Sequence, residues 1–216
     1  MGMKIAIDGP AGSGKSTVAK LLAKRLGFEY VDTGAMYRAI AWKAFRSGYS
    51  PNDRPGISKI IESTTFSLKN NQLFMDGSPI GDEIRTSEIS MLSSAIAKIP
   101  EVRAFLTEEQ RKLAANRDVV MEGRDIGTVV LPDAEYKFFI KASAEERAKR
   151  RLSQLKEIGI DAEYETILKE IVARDINDSS RDIAPLKPAD DAIVIDTTDM
   201  PLEEVINYIL KRMGIE

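Results

Sequence analysis

The amino-acid sequence predicts a three-layer α/β fold, in which helices cover both faces of a five-stranded parallel sheet. Short, continuous apolar runs such as residues 5–7 and 119–121 are typical of strands that are buried on both faces. These runs alternate with segments whose apolar residues recur at helical spacing, as expected of βα units. Glycine-rich or charged clusters follow the first three predicted strands, on the side where open parallel sheets bind their ligands.

The first cluster, residues 9–16 (GPAGSGKS), matches the phosphate-binding pattern G-x-x-x-x-G-K-[ST] at every fixed position. Its glycines allow backbone N–H groups to surround a polyphosphate, Lys15 adds a positive charge, and the Ser16 hydroxyl suits Mg²⁺. Apolar residues at helical spacing over positions 18–26 predict that a helix follows, and its N-terminus also attracts an anion. The residues predicted to bind a nucleoside triphosphate are Gly9, Pro10, Ala11, Gly12, Ser13, Gly14, Lys15, Ser16 and Thr17, with Ser16 as the metal ligand.

The composition favours one domain that works without a membrane or a nucleic acid. With 216 residues, of which 43% are hydrophobic, the chain can form one substantial core, and we expect a single domain over residues 1–216. The net charge of −3 argues against broad contact with a phosphate backbone. No apolar run has the length of a membrane span, and the N-terminus lacks a signal-peptide pattern. We expect a cytoplasmic protein without nucleic-acid or membrane partners, and we expect it to be a monomer.

The sequence contains neither cysteine nor histidine. Disulfides, thiolate catalysis and cysteine metal sites are therefore excluded, and the commonest general base is missing. Phosphoryl transfer can proceed with Lys, Arg, Asp and Mg²⁺, because its catalysis consists mostly of positioning and charge neutralisation. The composition and the phosphate-binding loop thus point to the same chemistry.

Polar clusters also follow the second and third predicted strands, in residues 32–38 (DTGAMYR) and 122–128 (EGRDIGT). Thr33 offers a hydroxyl, and Arg38 and Arg124 offer guanidinium groups that can bind phosphate oxygens bidentately. The alternative is that both arginines only pair with the neighbouring aspartates. Because three such clusters converge on one rim of the sheet, they predict a second anionic ligand beside the first. Apolar spacing predicts that a helix follows the second cluster from about position 39.

A predicted β-hairpin interrupts the alternation of strands and helices. Residues 65–68 and 72–75 alternate apolar and polar side chains, and residues 69–71 form the turn between them. We interpret residues 64–85 as a small inserted subdomain. Two further helices are predicted over residues 88–116, and Pro100 opens the second.

A group of three arginines follows the fourth predicted strand, residues 136–140. Ser143 with a glutamate three positions later fits a capping box, which starts a helix. Arg147, Arg150 and Arg151 then share one face of that helix, from which a closing lid would bring their charges to a transferring phosphoryl group. The alternative is a solvated basic face that neighbouring glutamates neutralise.

The last part of the chain adds a second arginine group, a strand and a terminal helix. Arg174, Asp178 and Arg181 have spacing i, i+4 and i+7, so they lie on one face of a helix predicted from about residue 161. A simple ion pair between neighbouring turns is the alternative function of these residues. Residues 192–195 are predicted to be the fifth strand, and a terminal helix is predicted to follow.

Five motifs occur in order along the chain: residues 7–17, 32–38, 123–134 (GRDIGTVV and PDA), 143–147 (SAEER) and 181–186 (RDIAPL). They resemble those of the cytidylate kinase family, the bacterial CMP/dCMP kinases, and the similarity extends over nearly the whole chain. The hairpin resembles the extra element that distinguishes this family from short adenylate kinases. Thr33 stands where serine is common in the family, and Glu122 stands where aspartate often precedes Gly-Arg-Asp.

The resemblance implies a P-loop kinase fold with a substrate-binding insertion and a helical lid. It implies that residues of about 33–115 bind the monophosphate, and that residues of about 145–185 form the lid and the nucleotide-contacting helices. ATP would be the phosphoryl donor, Mg²⁺ would assist, and CMP or dCMP would be the acceptor. The implied catalytic residues are Lys15, Arg147, Arg150 and Arg151. The implied CMP-binding residues are Thr33, Arg38, Ser94, Arg103, Arg124, Asp125, Arg174, Asp178 and Arg181.

Two alternatives are weighed against a cytidylate kinase. A monophosphate kinase for UMP or AMP would share every phosphate-binding feature. Asp125 favours cytosine over uracil, because a carboxylate accepts a hydrogen bond from the cytosine amino group, whereas uracil presents a carbonyl there. A nucleotide-dependent switch is the other alternative. Residues 53–56 (DRPG) fit the D-x-x-G of GTPase switches, but we assign them to a loop that begins near residue 47, and no N-K-x-D motif is present.

Overall fold

A computed structural model describes residues 2–157 and 159–215, so positions 1, 158 and 216 of the predicted domain lie outside the described residues. Eight strands and eight α-helices are present in the described ranges. The strands are β1 (Lys4–Asp8), β2 (Glu29–Asp32), β3 (Phe66–Lys69), β4 (Gln72–Met75), β5 (Ser78–Pro79), β6 (Val119–Gly123), β7 (Tyr136–Lys141) and β8 (Ile193–Asp196). The helices are α1 (Lys15–Leu26), α2 (Thr33–Arg46), α3 (Arg54–Glu62), α4 (Ser87–Ile96), α5 (Pro100–Ala114), α6 (Ala144–Glu157), α7 (Tyr164–Ser179) and α8 (Leu202–Arg212).

The central sheet contains five parallel strands in the order β2-β6-β1-β7-β8. Alternating side chains of β1 enter two separate cores, as expected of a strand covered on both faces. Ala6 packs with the cluster beneath α2 and α5, whereas Ile5 and Ile7 pack with α1 and α8. The predicted three-layer fold with a five-stranded parallel sheet is confirmed.

The register of the sheet places the three polar clusters side by side. Asp8 at the end of β1 pairs with Gly123 of β6, and Asp32 at the end of β2 pairs with Glu122. The carboxyl ends of three strands therefore form one rim, on which the loop after β1, the start of α2 and the residues after β6 meet.

Residues 66–79 form a separate three-stranded antiparallel sheet in the order β3-β4-β5. Asn70 and Asn71, with φ of 51° and 62°, make the two-residue turn that a right-twisted hairpin prefers. The Asn71 side chain accepts a hydrogen bond from the backbone N–H of Tyr30 at 2.8 Å, so the hairpin turn covers the outer edge of β2.

Two expectations are wrong because an aspartate side chain caps a helix: the start of the helix after β2, and the loop at residues 53–56. Helix α2 begins at Thr33 rather than near residue 39, because Asp32 accepts a hydrogen bond from Ala35 N at 2.8 Å. The DRPG segment is not loop: Asp53 accepts from Gly56 N at 3.0 Å, and Arg54 starts α3. This segment is the start of a surface helix and not a switch loop.

Helices α6 and α7 pack against each other beside the rim. They share a small apolar cluster around Ala148, Ile167 and Ile171. The N–H of Glu146 donates to Ser143 Oγ at 3.1 Å, so the predicted serine cap of α6 is present. Within residues 2–157 and 159–215, every helix is too short or too polar to cross a membrane.

Candidate active site

A cleft of about 750 Å³ opens at the carboxyl ends of the central strands. The loop after β1 forms one end of it, and the start of α2, the end of β6 and the inner face of α7 form the other walls. Among the described residues, ten Lys or Arg side chains and five carboxylates line the cleft. This excess of positive charge suits ligands that carry several phosphates.

The backbone of the loop at residues 9–16 is shaped for a close approach between chain segments. A Cβ atom at Gly9 would lie 2.0 Å from the carbonyl oxygen of Ile140, so no other residue fits there. Gly14, with a φ of 86°, is the N-cap of α1 and offers no side chain to the first helical N–H groups. Those N–H groups remain available to an anion, as expected of a phosphate-binding loop.

Lys15 is buried, with 6% of its surface exposed, although it lines the cleft. Its Nζ donates to the carbonyl oxygen of Pro10 at 3.3 Å and lies 3.7 Å from Oε2 of Glu122. Burial, with the nearby charge of Arg124, lowers the pKa of Lys15 to about 8, whereas Glu122 works in the opposite direction. A phosphate in the cleft would add negative charge beside this ammonium group and would favour its charged form.

Glu122 connects the lysine with the second strand. It is 2% exposed, and its Oε1 accepts a hydrogen bond from the phenol of Tyr30 at 2.9 Å. The Thr33 hydroxyl donates to the backbone carbonyl of Glu122 at 2.7 Å. A Cβ atom at Gly123 would lie 2.6 Å from that hydroxyl, so the glycine makes room for Thr33.

Four arginines, Arg38, Arg124, Arg174 and Arg181, line the cleft, and the last three lie near Asp178. Arg124 Nε donates to Asp178 at 2.9 Å, and Arg181 donates to the other oxygen of the same carboxylate. Arg38 pairs with Asp32 at 3.0 Å, as expected if the arginines pair with neighbouring aspartates. It also lines the cleft. The Nε atoms of Arg38, Arg174 and Arg181 are buried without a hydrogen-bond partner in the described residues.

This arginine cluster carries an excess of positive charge, which an additional anion would neutralise. Burial, with repulsion from Arg124, lowers the pKa of Arg174 to about 10. Burial opposes ionisation of Asp178, but Arg124 and Arg181 outweigh it, so the pKa of Asp178 lies below its usual value. Two carboxylates, Asp32 and Asp178, do not neutralise the four guanidiniums, and a phosphate would bind here with charge-assisted hydrogen bonds.

A buried ion pair lies next to the arginine cluster. Arg103 donates to Asp125 at 2.5 Å and to the carbonyl of Ala97 at 3.3 Å, and its guanidinium lies 5.7 Å from the ring centroid of Tyr37. Burial raises the pKa of Asp125, and Arg103 works in the opposite direction. Both members of the pair and Ser94 line the cleft, where they can recognise a polar ring edge.

The three arginines of α6 do not share one environment, although they were predicted to share one face. Arg150 and Arg151 line the cleft, and Arg150 also binds Glu146 at 3.0 Å and the Thr197 carbonyl at 2.6 Å. Arg147 is buried below the phosphate-binding loop. It donates to the carbonyl of Ala11 at 3.0 Å and holds both oxygens of Asp175. Arg147 is therefore placed to support the loop rather than to reach over the cleft.

We predict that Arg147→Ala lowers stability more than it lowers the intrinsic rate. The change leaves Asp175 without its bidentate partner and should cost about 2–3 kcal/mol, which corresponds to roughly 4–12 °C in Tm for a chain of this size. The KM for ATP should rise because Ala11 loses its anchor. Thermal denaturation and steady-state kinetics measure both effects, with the exposed Arg151→Ala as the control for Tm. An unchanged Tm with a large loss of kcat would mean that Arg147 reaches the phosphates.

The cleft contains the residues predicted to bind ligands, with four exceptions. Gly9, Pro10, Ser13 and Arg147 do not line it, because they are buried beneath the surface of the cleft. Sequence reasoning missed several lining residues, and of these Tyr37 lies inside a motif whereas Arg85 and Ser93 lie far from all five. The missed residues include Lys20, Tyr37, Arg85, Ser93, Ser153, Gln154 and Glu157.

The donor set of the cleft fits magnesium. Within the described residues no three acidic side chains gather closely enough to hold a metal alone. Mg²⁺ typically takes one or two protein ligands and completes its shell with substrate phosphates and water. The Ser16 hydroxyl and the carboxylates of Asp32 and Glu122 line the cleft and would supply such ligands.

Comparison with solved structures shows the fold. The chain is similar to shikimate kinase from Bacteroides thetaiotaomicron, with a TM-score of 0.52, 10% identity and coverage of 99% of both chains. A protein from Eubacterium ventriosum gives a TM-score of 0.53 at 16% identity, again with 99% of both chains covered. These similarities support the P-loop kinase architecture, and at such low identity they show the fold alone.

Comparison with related sequences shows the family. A family model described as cytidylate kinase matches residues 5–214. The chain is 53% identical over 211 residues to the cytidylate kinase of Caldanaerobacter subterraneus subsp. tengcongensis, which covers 98% of this chain and 94% of the relative. It is 52% identical to that of Thermosipho melanesiensis, with 98% and 96% covered. The chain therefore belongs to the cytidylate kinase family, a group of nucleoside monophosphate kinases, as its five motifs predict.

Proposed function

We propose that this protein transfers the γ-phosphoryl group of ATP to CMP or dCMP, giving ADP and CDP or dCDP. One observation carries the proposal: the loop at residues 9–16 and a wall rich in arginine open into the same cleft, with a buried Arg103–Asp125 pair beside that wall. The loop binds the donor, and Arg38, Arg124 and Arg181 bind the acceptor phosphate. A switch protein needs only the first of these two sites.

The chemistry needs no general base beyond the substrate itself. The acceptor phosphate has a second pKa of about 6, so its attacking oxygen is already anionic near neutral pH. Lys15 neutralises charge on the donor phosphates, and Arg150 and Arg151 stabilise charge from the side of α6. Bound magnesium, held by Ser16 and by Asp32 or Glu122, would neutralise charge on the donor phosphates.

Asp125 gives the site its preference for cytosine. Its carboxylate accepts a hydrogen bond from the amino group of cytosine, whereas uracil presents a carbonyl oxygen there that the carboxylate repels. Arg103 offers its guanidinium to the ring carbonyl from the other side of the same ion pair. Ser94 lies on the same wall, and Arg174 and Asp178 face the sugar and phosphate.

Two parts of the chain are proposed to close over the substrates. The insertion at residues 64–85 lies in the monophosphate-binding region, residues 33–115, and the α6–α7 pair lies in the lid region, residues 145–185. Closure excludes water, which competes with CMP as an acceptor, so ATP hydrolysis without CMP should be slow. Since its substrates are cytoplasmic metabolites, we place the enzyme in the cytoplasm and propose that it acts as a monomer.

The test is a coupled assay of ADP release with four acceptors. We expect kcat/KM for CMP and dCMP to exceed the value for UMP by at least about 100-fold, because an opposed carboxylate and carbonyl cost roughly 3 kcal/mol. The value for AMP should also lie below those for CMP and dCMP. Asp125→Asn should narrow the difference between CMP and UMP, since an amide can donate to the uracil carbonyl. Equal rates for all four acceptors would refute the cytosine assignment, and a preference for UMP or AMP would establish the rival kinase.

A further inference from the structure

The segment that follows Asp125 is one turn of π-helix, Ile126–Val130, which the sequence did not predict. Asp8, at the end of β1, holds the start of this turn. Its Oδ1 accepts from the N–H of Ile126 and its Oδ2 from the N–H of Gly127, both at 2.8 Å. These donors would otherwise be free at the start of a helical turn, so the carboxylate occupies them in place of a substrate anion.

The opposite end of the same turn is held by an arginine of α5. Arg111 Nε donates to the carbonyl of Val130 at 2.9 Å, and its Nη2 donates to the carbonyl of Val129 at 2.7 Å. An anion at the N–H end and a cation at the carbonyl end both match the dipole of the turn. Arg103, from the same helix, binds Asp125 directly before the turn.

We propose that Asp8 is a positioning residue for base recognition, which acts by fixing the π-turn that orients Asp125. This inference rests on the proposed function, in which Asp125 reads cytosine. Because Asp8 also directly precedes Gly9, it joins the strand that carries the ATP loop to the segment that selects the acceptor. Arg111 supports the same turn from its far end.

The Asp8 carboxylate has the two N–H groups of the π-turn as its hydrogen-bond donors. The side chain is in the interior, with 4% of its surface exposed, and no arginine or lysine in the described residues forms an ion pair with it. Burial raises the pKa of Asp8 to about 7, and the two backbone N–H groups only partly oppose this shift. An apolar side chain at position 8 would leave the N–H groups of Ile126 and Gly127 without this acceptor. The carboxylate therefore satisfies the two N–H groups, and by holding them it fixes the orientation of Asp125.

The experiment measures base selectivity in Asp8→Asn and Arg111→Ala. The amide introduced by Asp8→Asn keeps one acceptor oxygen but turns an N–H group toward the second donor, so the start of the turn should shift. We expect the ratio of kcat/KM for CMP to that for UMP to fall roughly tenfold in Asp8→Asn, through a higher KM for CMP. The KM for ATP should stay within about twofold, because the loop glycines are unchanged. Arg111→Ala should lower the same ratio about threefold, and Arg111→Lys should restore part of it.

The control is Lys112→Ala, an exposed neighbour of Arg111 on α5 that binds only Glu108 and Glu109 among the described residues. It should leave the base ratio unchanged. Equal losses for CMP and UMP, or an unchanged ratio in both variants, would overturn the inference and leave Asp8 with a structural role. If Asp8→Asn does not fold, the Arg111 variants test whether the π-turn sets the selectivity for cytosine. A wild-type enzyme without cytosine preference would instead refute the proposed function, so the two failures are distinguishable.

Discussion

Replacing Lys15 by methionine is expected to lower kcat for phosphoryl transfer by roughly three orders of magnitude. Single cations that neutralise charge on the transferring group contribute about 10³-fold or more in such reactions. Methionine keeps much of the volume of the lysine stem but supplies no charge. The same coupled assay of ADP release measures the loss, with saturating ATP and CMP.

The fold should tolerate this change because the charge of Lys15 is costly to bury. Its folded-state pKa of about 8 lies below the ordinary value of 10.5, so the folded protein binds this proton less tightly than the unfolded chain does. Lys15 therefore makes stability increase as pH rises from about 8 to 10.5, and its charged form reduces stability near neutral pH. Methionine removes that cost but also removes the cation near Glu122, so we expect Tm to change by less than about 4 °C.

Lys24→Met is the matched control for this prediction. Lys24 lies in the last turn of the same helix, is exposed and does not line the cleft. It should keep wild-type activity and stability. Activity within about tenfold of wild type in a folded Lys15→Met protein would contradict the role given to Lys15.

Replacing Arg181 by alanine is expected to lower kcat/KM for CMP about 100-fold while the affinity for ATP changes less than about twofold. The Arg181 side chain is 9% exposed, binds Asp178 and retains a buried Nε without a partner in the described residues. Loss of a buried, charge-assisted contact to phosphate costs about 1.5–3 kcal/mol, or roughly 10- to 150-fold. Asp178 also loses a cation, although Arg124 still binds it. Steady-state kinetics with CMP varied, and ATP titration without CMP, separate the two affinities.

Lys187→Ala controls for the loss of positive charge in the same loop, since Lys187 is exposed and does not line the cleft. Its kinetics should match wild type. A collapse of ATP affinity in Arg181→Ala would place this arginine on the donor side and would contradict the acceptor site.

The sequence predicted the features that depend on neighbouring residues. The loop at residues 9–16 and the helix after it follow from glycines, a fixed lysine and apolar spacing, all close together along the chain. The hairpin follows from a short turn between two alternating runs. Such local patterns determine backbone conformation directly, because turn chemistry and periodicity act over a few residues.

The sequence by itself thus determined the fold class, the phosphate-binding loop and the family. Only the tertiary structure decided which charged side chains reach the cleft. Arg147 and Arg150 have the same helical spacing pattern, yet α7 and the loop cover the first and leave the second on the cleft wall. The Asp8 carboxylate accepts hydrogen bonds from N–H groups that lie 118 and 119 positions away. The packing of distant elements decides which residue a side chain contacts. The spacing of residues along the sequence does not show how those elements pack.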